Sequence, residues 1–201
     1  MAHKPKQKRF LERNLHLIVI AAVALVVIGV YLAKADGNSA SSAQAIAANV
    51  PAESDPAETP SGGTVAPNFK LTSTDGKTID LSSFRGKVVI VDFWATWCPP
   101  CKAEIPDFIK LYSKYKDNGF QMLGISLDQN GLQAVVPFMK KYGINYPIML
   151  GNEQVVDEYG GIRGIPTTFV IDKQGNIAAS FMGYRPASVF ENLIQKLTKE
   201  K

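Results

Sequence analysis

Residues 66–201 predict an α/β domain, a central mixed sheet flanked by helices. Three observations carry the prediction: a continuous apolar run bounded by chain breakers, an alternation of strand and helix patterns after it, and a closing strand pair followed by an amphipathic helix. The domain opens with Phe69 to Leu81, two short strand patterns around Asp75-Gly76, a dipeptide that strongly favours a tight hairpin. Val88 to Ala95 comes next, apolar except for Asp92 and bounded by Gly86-Lys87 and Cys98-Pro99, as suits a strand buried on both faces. Helical spacing follows in Ile105, Phe108, Ile109, Leu111, Tyr112 and Tyr115, and Asn118-Gly119 supplies a residue able to take positive φ where the helix stops. The pattern then predicts a strand over 120–127, a helix over 132–142, a strand over 146–150 and a short helix over 153–159. Strands over 167–172 and 177–182 flank the turn Lys173-Gln174-Gly175-Asn176, and a last helix covers 186–199. No internal repeat interrupts this order.

The chain has 201 residues and a formal net charge of +4, which by itself invites a nucleic-acid partner. The charge is not in the folded part. Lys4, Lys6, Lys8, Arg9, Arg13 and Lys34 stand against Glu12 in residues 1–34, leaving sixteen basic and seventeen acidic residues in 35–201. A basic stripe with interleaved aromatics is missing there, so no nucleic-acid partner is expected. Residues 1–14 form a basic segment, and 15–33 carry no charge. Nineteen helical residues rise roughly 28 Å, close to the roughly 30 Å hydrocarbon core and longer than the roughly 7–15 apolar residues of a cleaved signal peptide. An uncleaved transmembrane anchor is therefore expected, with cleavage at Ala33-Lys34-Ala35 as the alternative. In either case the leading basic residues hold the N-terminus in the cytoplasm and send the rest across. No cysteine is placed for a lipid anchor. Residues 34–65, rich in Ala, Ser, Pro and Gly and without aromatics, read as a flexible linker with a reach of roughly 30 Å.

The chemistry is expected in Trp97-Cys98-Pro99-Pro100-Cys101, which holds the chain's two cysteines where the buried strand gives way to a helix. A zinc site needs about four ligands, and the two histidines, His3 and His16, lie before or within the apolar segment. A purely structural disulfide would close a four-residue loop and remove only about 2 kcal/mol of unfolded-state entropy. Redox catalysis fits the placement better, because the positive end of a helix stabilises a thiolate. Cys98 is then expected to be exposed and to attack, and Cys101, one turn in, to be covered and to resolve. Pro99 and Pro100 remove two N–H donors near Cys98 while fixing φ at the helix start.

Val91-Asp92-Phe93-Trp94-Ala95-Thr96-Trp97-Cys98-Pro99-Pro100-Cys101-Lys102, with Pro106, Tyr142-Gly143 and Gly161-Ile162-Arg163-Gly164-Ile165-Pro166-Thr167 downstream, resembles the thioredoxin superfamily. The basic-plus-apolar N-terminus, the opening hairpin, Cys101-Lys102-Ala103-Glu104-Ile105-Pro106 and the helix and strand between Leu127 and Gly161 resemble, more narrowly, the membrane-anchored extracytoplasmic TlpA/ResA-like thiol-disulfide oxidoreductases. The resemblance implies a thioredoxin-like fold with an N-terminal β-hairpin and an inserted helix-strand element, preceded by one transmembrane helix. It implies a cis Ile165-Pro166 bond, in a loop that lies against the Cys98 sulfur and receives the substrate backbone. It also places Asp92 at the buried-acid position of thioredoxins and Glu104 at the active-site acid of ResA-like proteins. A carboxyl group desolvated in an apolar setting holds its proton more tightly and can act as acid or base on the resolving thiol, so either residue can move the proton. Trp97 is expected to shield the disulfide, and Trp97, Pro99, Pro100, Ile165 and Pro166 to meet the substrate.

The function implied is a thiol:disulfide oxidoreductase of the bacterial cytoplasmic membrane, with its catalytic domain in the periplasm or extracytoplasmic space and with no cofactor beyond the Cys98/Cys101 pair. Reduction of exported proteins such as apocytochrome c or copper-site proteins is the leading reading, with a membrane electron donor of the CcdA or DsbD kind and a monomeric state. An oxidant of the DsbA kind uses the same residues in the opposite direction. A thiol peroxidase would carry Pro-x-x-x-Thr-x-x-Cys ahead of its cysteine, and Val91 to Trp97 contains no proline. A metallochaperone or redox-silent binding module is the non-enzymatic alternative.

Overall fold

The computed structural model describes residues 63–200, together with Val23 and Leu25, which are helical and exposed. The basic segment, most of the linker and, apart from those two residues, the anchor expected over 15–33 lie outside the described residues. Among the described residues no helix is long and apolar enough to cross a membrane. The chain divides into two units, Met1–Glu53 and Ser54–Lys201, and the second carries the cysteines.

The opening hairpin forms as expected from β1 (Lys70–Thr72) and β2 (Thr78–Asp80), turning at Gly76 with φ +84°. It is a separate two-stranded sheet, joined to β5 (Ile148–Leu150) by the Thr74 N–H, which donates to Ile148 O at 2.8 Å. After it, Leu81–Phe84 makes a 3-10 turn that sequence periodicity does not reveal, capped by the Asp80 carboxylate accepting from the Ser82 N–H.

The main sheet has the order β5-β4-β3-β6-β7. Its centre is β3 (Val88–Trp94), seven consecutive buried residues, as the unbroken apolar run requires. It pairs in parallel with β4 (Phe120–Ser126) and antiparallel with β6 (Thr167–Ile171), and β7 (Ile177–Met182) closes one edge as the hairpin partner of β6. Among the described residues of this second unit, four α-helices complete the order: α1 (Pro99–Tyr115), α2 (Leu132–Tyr142), α3 (Glu153–Glu158) and α4 (Ala187–Lys199).

Successive strand residues point to opposite faces, so β3 feeds two cores. Val88, Ile90 and Trp94 pack with Ile105, Phe108 and Leu111 of α1 and with Phe190, Ile194 and Leu197 of α4. Val89, Val91 and Phe93 pack with Leu71, Leu81, Val155 and Tyr159 on the other side. Asp92 belongs to the first series, between Ile90 and Trp94, which aims a carboxyl group into an apolar layer beneath α1.

Candidate active site

The turn from β3 into α1 is held from the neighbouring strand. Leu127 N–H donates to Trp94 O at 2.8 Å, and Cys98 N–H donates to Ala95 O at 3.2 Å. Between these, Asp128 accepts from the Thr96 N–H at 2.9 Å and from the Thr96 hydroxyl at 2.5 Å, while Ser126 Oγ donates to the same carboxylate at 2.8 Å. Both Asp128 oxygens are thus committed to the loop that presents Cys98.

Cys98 caps α1 in an extended conformation, φ −83° and ψ 112°, with Pro99 and Pro100 at the first two helical positions. Because neither proline has an N–H, the first amide the helix offers is that of Cys101, and it donates to the Cys98 sulfur at 3.2 Å. The prolines therefore leave the helix's positive end focused on one atom. Cys98 and Cys101 are joined by a disulfide with their Cα atoms 5.3 Å apart.

The expectation of an exposed Cys98 is corrected. In this oxidised form Cys98 is 2% exposed and Cys101 1%. The cover comes from the loop before β6, where the Ile165-Pro166 bond is cis and Ile165 O lies 3.6 Å from the Cys98 sulfur, close enough for a reduced thiol to donate to it. Pro166 is buried and Ile165 half-buried, whereas Pro99 and Pro100 are exposed. Trp97, 63% exposed, stands at the rim rather than as a lid. Surface cavities of about 300 Å³, beside Leu71 and Val155, and about 480 Å³, beside Asp128 and Asp157, have neither cysteine in their walls.

Two acids are buried close to one another, Asp92 on β3 and Glu104 three residues after Cys101 on α1. Asp92 is buried, and burial pushes its carboxyl group well above the usual carboxylate range; the nearby Glu104 adds to this, while the Thr168 hydroxyl, donating at 3.2 Å, opposes it. Glu104, also buried, is pushed up to about 7 by burial, against the opposing pull of the Arg185 N–H, which donates to Oε1 at 2.6 Å. Its other oxygen, Oε2, is buried with no hydrogen-bond partner among the described residues, as is the Trp94 indole nitrogen. Tyr146 shares this layer, its phenol pushed well above its ordinary range by burial and by both acids. Two buried carboxyl groups that bind their protons more tightly than usual, in the domain whose sulfur pair stands at a helix N-terminus, equip the site for thiol exchange coupled to proton transfer.

Such a pair on a sheet of this order, beneath a cis-proline loop, places the chain among the thioredoxin-like thiol-disulfide oxidoreductases. Residues 63–180 match the AhpC/TSA family, and the chain belongs to it. It is similar to the thiol-disulfide oxidoreductase ResA of Bacillus subtilis strain 168, 39% identical over 142 residues that cover 69% of this chain and 78% of the relative. ResA of Bacillus anthracis is 35% identical over 136 residues, covering 68% and 78% respectively. Among solved structures, a thioredoxin-family thiol:disulfide interchange protein from Chlorobium tepidum TLS matches with a TM-score of 0.64 and 37% identity, over 68% of this chain and 97% of that one. StoA from Bacillus subtilis matches with a TM-score of 0.56 and 30% identity, over 64% and 96%.

Sequence reasoning singled out both cysteines, both acids and the Ile165-Pro166 loop; the structure brings the loop onto the Cys98 sulfur and the two acids near one another. It missed Thr168, Asp128, Tyr146 and the Arg185 amide. Ser126-Leu127-Asp128 at a strand end carried a weak signal for a side chain turned back on its neighbour. A backbone donor carries none.

Proposed function

We propose that this oxidoreductase reduces disulfides of exported proteins outside the cytoplasm, with Cys98 attacking and Cys101 resolving. The observation that carries the reading is the Cys101 N–H aimed at the Cys98 sulfur at the start of α1, which favours thiolate at Cys98 over Cys101. In the reduced protein the Cys98 thiolate attacks a substrate disulfide, forming a Cys98–substrate disulfide and expelling one substrate thiolate. Cys101 then gives its proton to a buried carboxylate, and its thiolate attacks the Cys98 sulfur. The Cys98–Cys101 disulfide forms, the second substrate thiolate leaves, and two electrons have passed to the substrate. Glu104 is the proton carrier in this scheme, because its ionisation near 7 lets it accept and return a proton at working pH. Asp92, whose proton is also held more tightly than usual by burial, lies close enough to Glu104 for the two to influence each other.

Cavities without cysteine in their walls favour a protein substrate that meets Trp97, Pro99, Pro100, Ile165 and Pro166 as a surface. Residues 15–33 would anchor the chain in the bacterial cytoplasmic membrane, with 1–14 inside and 34–65 as the tether. Apocytochrome c or copper-site proteins fit as substrates of such a monomeric, tethered reductase, and a CcdA- or DsbD-like membrane protein fits as its donor. No cofactor beyond the cysteine pair enters the scheme.

Redox titration of the full chain in detergent, with thiol trapping, tests the direction of electron flow. A potential near or below about −270 mV supports a reductase, and one near about −120 mV makes the protein an oxidant. Cys101→Ser should accumulate mixed disulfides through Cys98, and Cys98→Ser should abolish turnover; continued turnover in Cys98→Ser would overturn the assignment of the attacking sulfur.

A further inference from the structure

The connection from β7 to α4, residues 183–186, touches both halves of the site. At one end the Gly183 N–H donates to Pro166 O at 2.7 Å, and Gly183 holds φ +82°, a conformation that favours glycine. Two residues on, the Arg185 N–H donates to Glu104 Oε1 at 2.6 Å. Met182 and Tyr184, which flank Gly183, are both exposed. One short segment therefore bonds the loop that covers the Cys98 sulfur and the acid that lies one helical turn below Cys101.

We propose that Arg185 is a positioning residue for the exchange reaction: its backbone N–H, on a loop that also bonds Pro166, holds the Glu104 carboxyl group in place and links substrate seating on Ile165–Pro166 to proton transfer beneath Cys101. The inference rests on the reading of Glu104 as proton carrier. Among the described residues the Arg185 N–H is the one hydrogen-bond donor to this carboxyl group, and its second oxygen is buried without a partner. An N–H donor stabilises the ionised form, so the bond is strong when Glu104 is a carboxylate and weak when it is protonated. Movement of Gly183 with the Pro166 carbonyl then changes the distance that matters to Glu104. The charged and titratable groups acting around Glu104 are Asp92 on β3, Tyr146 ahead of β5, Asp107 on α1 and the Arg185 guanidinium.

The test separates the amide from the guanidinium. Arg185→Ala keeps the N–H and loses the charge; Arg185→Pro loses both. The reduction potential of the full chain in detergent is measured from pH 5 to 9, and the break absent from Glu104→Gln is assigned to Glu104. The break should move to higher pH in Arg185→Pro by roughly tenfold in proton concentration beyond its place in Arg185→Ala. Equal breaks in the two variants would overturn the inference while leaving Glu104 as proton carrier; no Glu104 break in the unsubstituted chain would overturn the proton role and this inference with it. Should Arg185→Pro fail to fold, amide hydrogen exchange at Arg185 gives the answer. Exchange should be slow in the unsubstituted chain and in Glu104→Gln, which keeps an acceptor oxygen, and fast in Glu104→Ala. Equal exchange in all three would show that the bond positions nothing.

Discussion

Replacing Glu104 with Gln removes a titrating group while keeping an oxygen for the Arg185 N–H. The folded protein raises this carboxyl group from 4.5 to about 7, so the native state binds its proton more tightly than the unfolded chain does. The resulting stabilisation is complete below pH 4.5 and is lost as the pH rises through 7. The displacement corresponds to about 3 kcal/mol, a large share of the roughly 5–15 kcal/mol that separates a folded domain from its unfolded chain. Guanidinium unfolding of the full chain in its disulfide form, at pH 5 and at pH 8, reads this directly. Between the two pH values the unsubstituted protein should lose about 2–3 kcal/mol more than Glu104→Gln, because at pH 5 the unfolded chain already ionises most of this group. Asp92 is displaced in the same direction, partly by Glu104 itself, so the comparison is repeated in an Asp92→Asn background to isolate Glu104. Parallel stability profiles would refute the reasoning, since they would mean that Glu104 ionises in the folded protein as freely as in the unfolded one.

Thr168→Val removes the hydroxyl that donates to Asp92, so Asp92 should bind its proton still more tightly. The limb of the pH–rate profile absent from Asp92→Asn should move to higher pH. Asp128→Ala releases Thr96 and should cost about 1–3 kcal/mol in denaturant unfolding. It should also shift the Cys98 titration followed by thiolate absorbance, because the loop that aims the sulfur is freed. Gly124→Ala places a methyl group against Ile148 Cδ1 and the Trp94 indole nitrogen, and should cost about 1–3 kcal/mol in thermal unfolding.

The strands that were legible in the sequence are those whose burial is written into consecutive residues. Val88–Trp94 reads as a strand because both of its faces are covered, and the pair at 167–171 and 177–182 because a turn separates two apolar runs. Leu81–Phe84 was not legible, since its turn depends on a cap from Asp80 rather than on periodicity. Within the site, Cys98, Cys101 and Glu104 share one stretch of chain, and Asp92 stands out as the acid in an apolar run. Their partners come from far away: Asp128 is 32 residues from Thr96, Thr168 is 76 from Asp92, and Arg185 is 81 from Glu104. That the Ile165-Pro166 loop lies against Cys98 came from the family resemblance and not from any local pattern, since the two are 67 residues apart; how fully it buries the sulfur became visible only in the structure.

The strand that leads into the cysteines, β3, is the middle one of five, bonded along both edges and packed on both faces. Opening it requires breaking the sheet itself, so its amides belong with the last to exchange with solvent. The redox pair therefore sits at the tip of the stiffest part of the molecule, while 161–165 and 183–186 are loops. The sulfur pair keeps a fixed footing, and whatever yields as bonds exchange has to come from those loops rather than from the sheet.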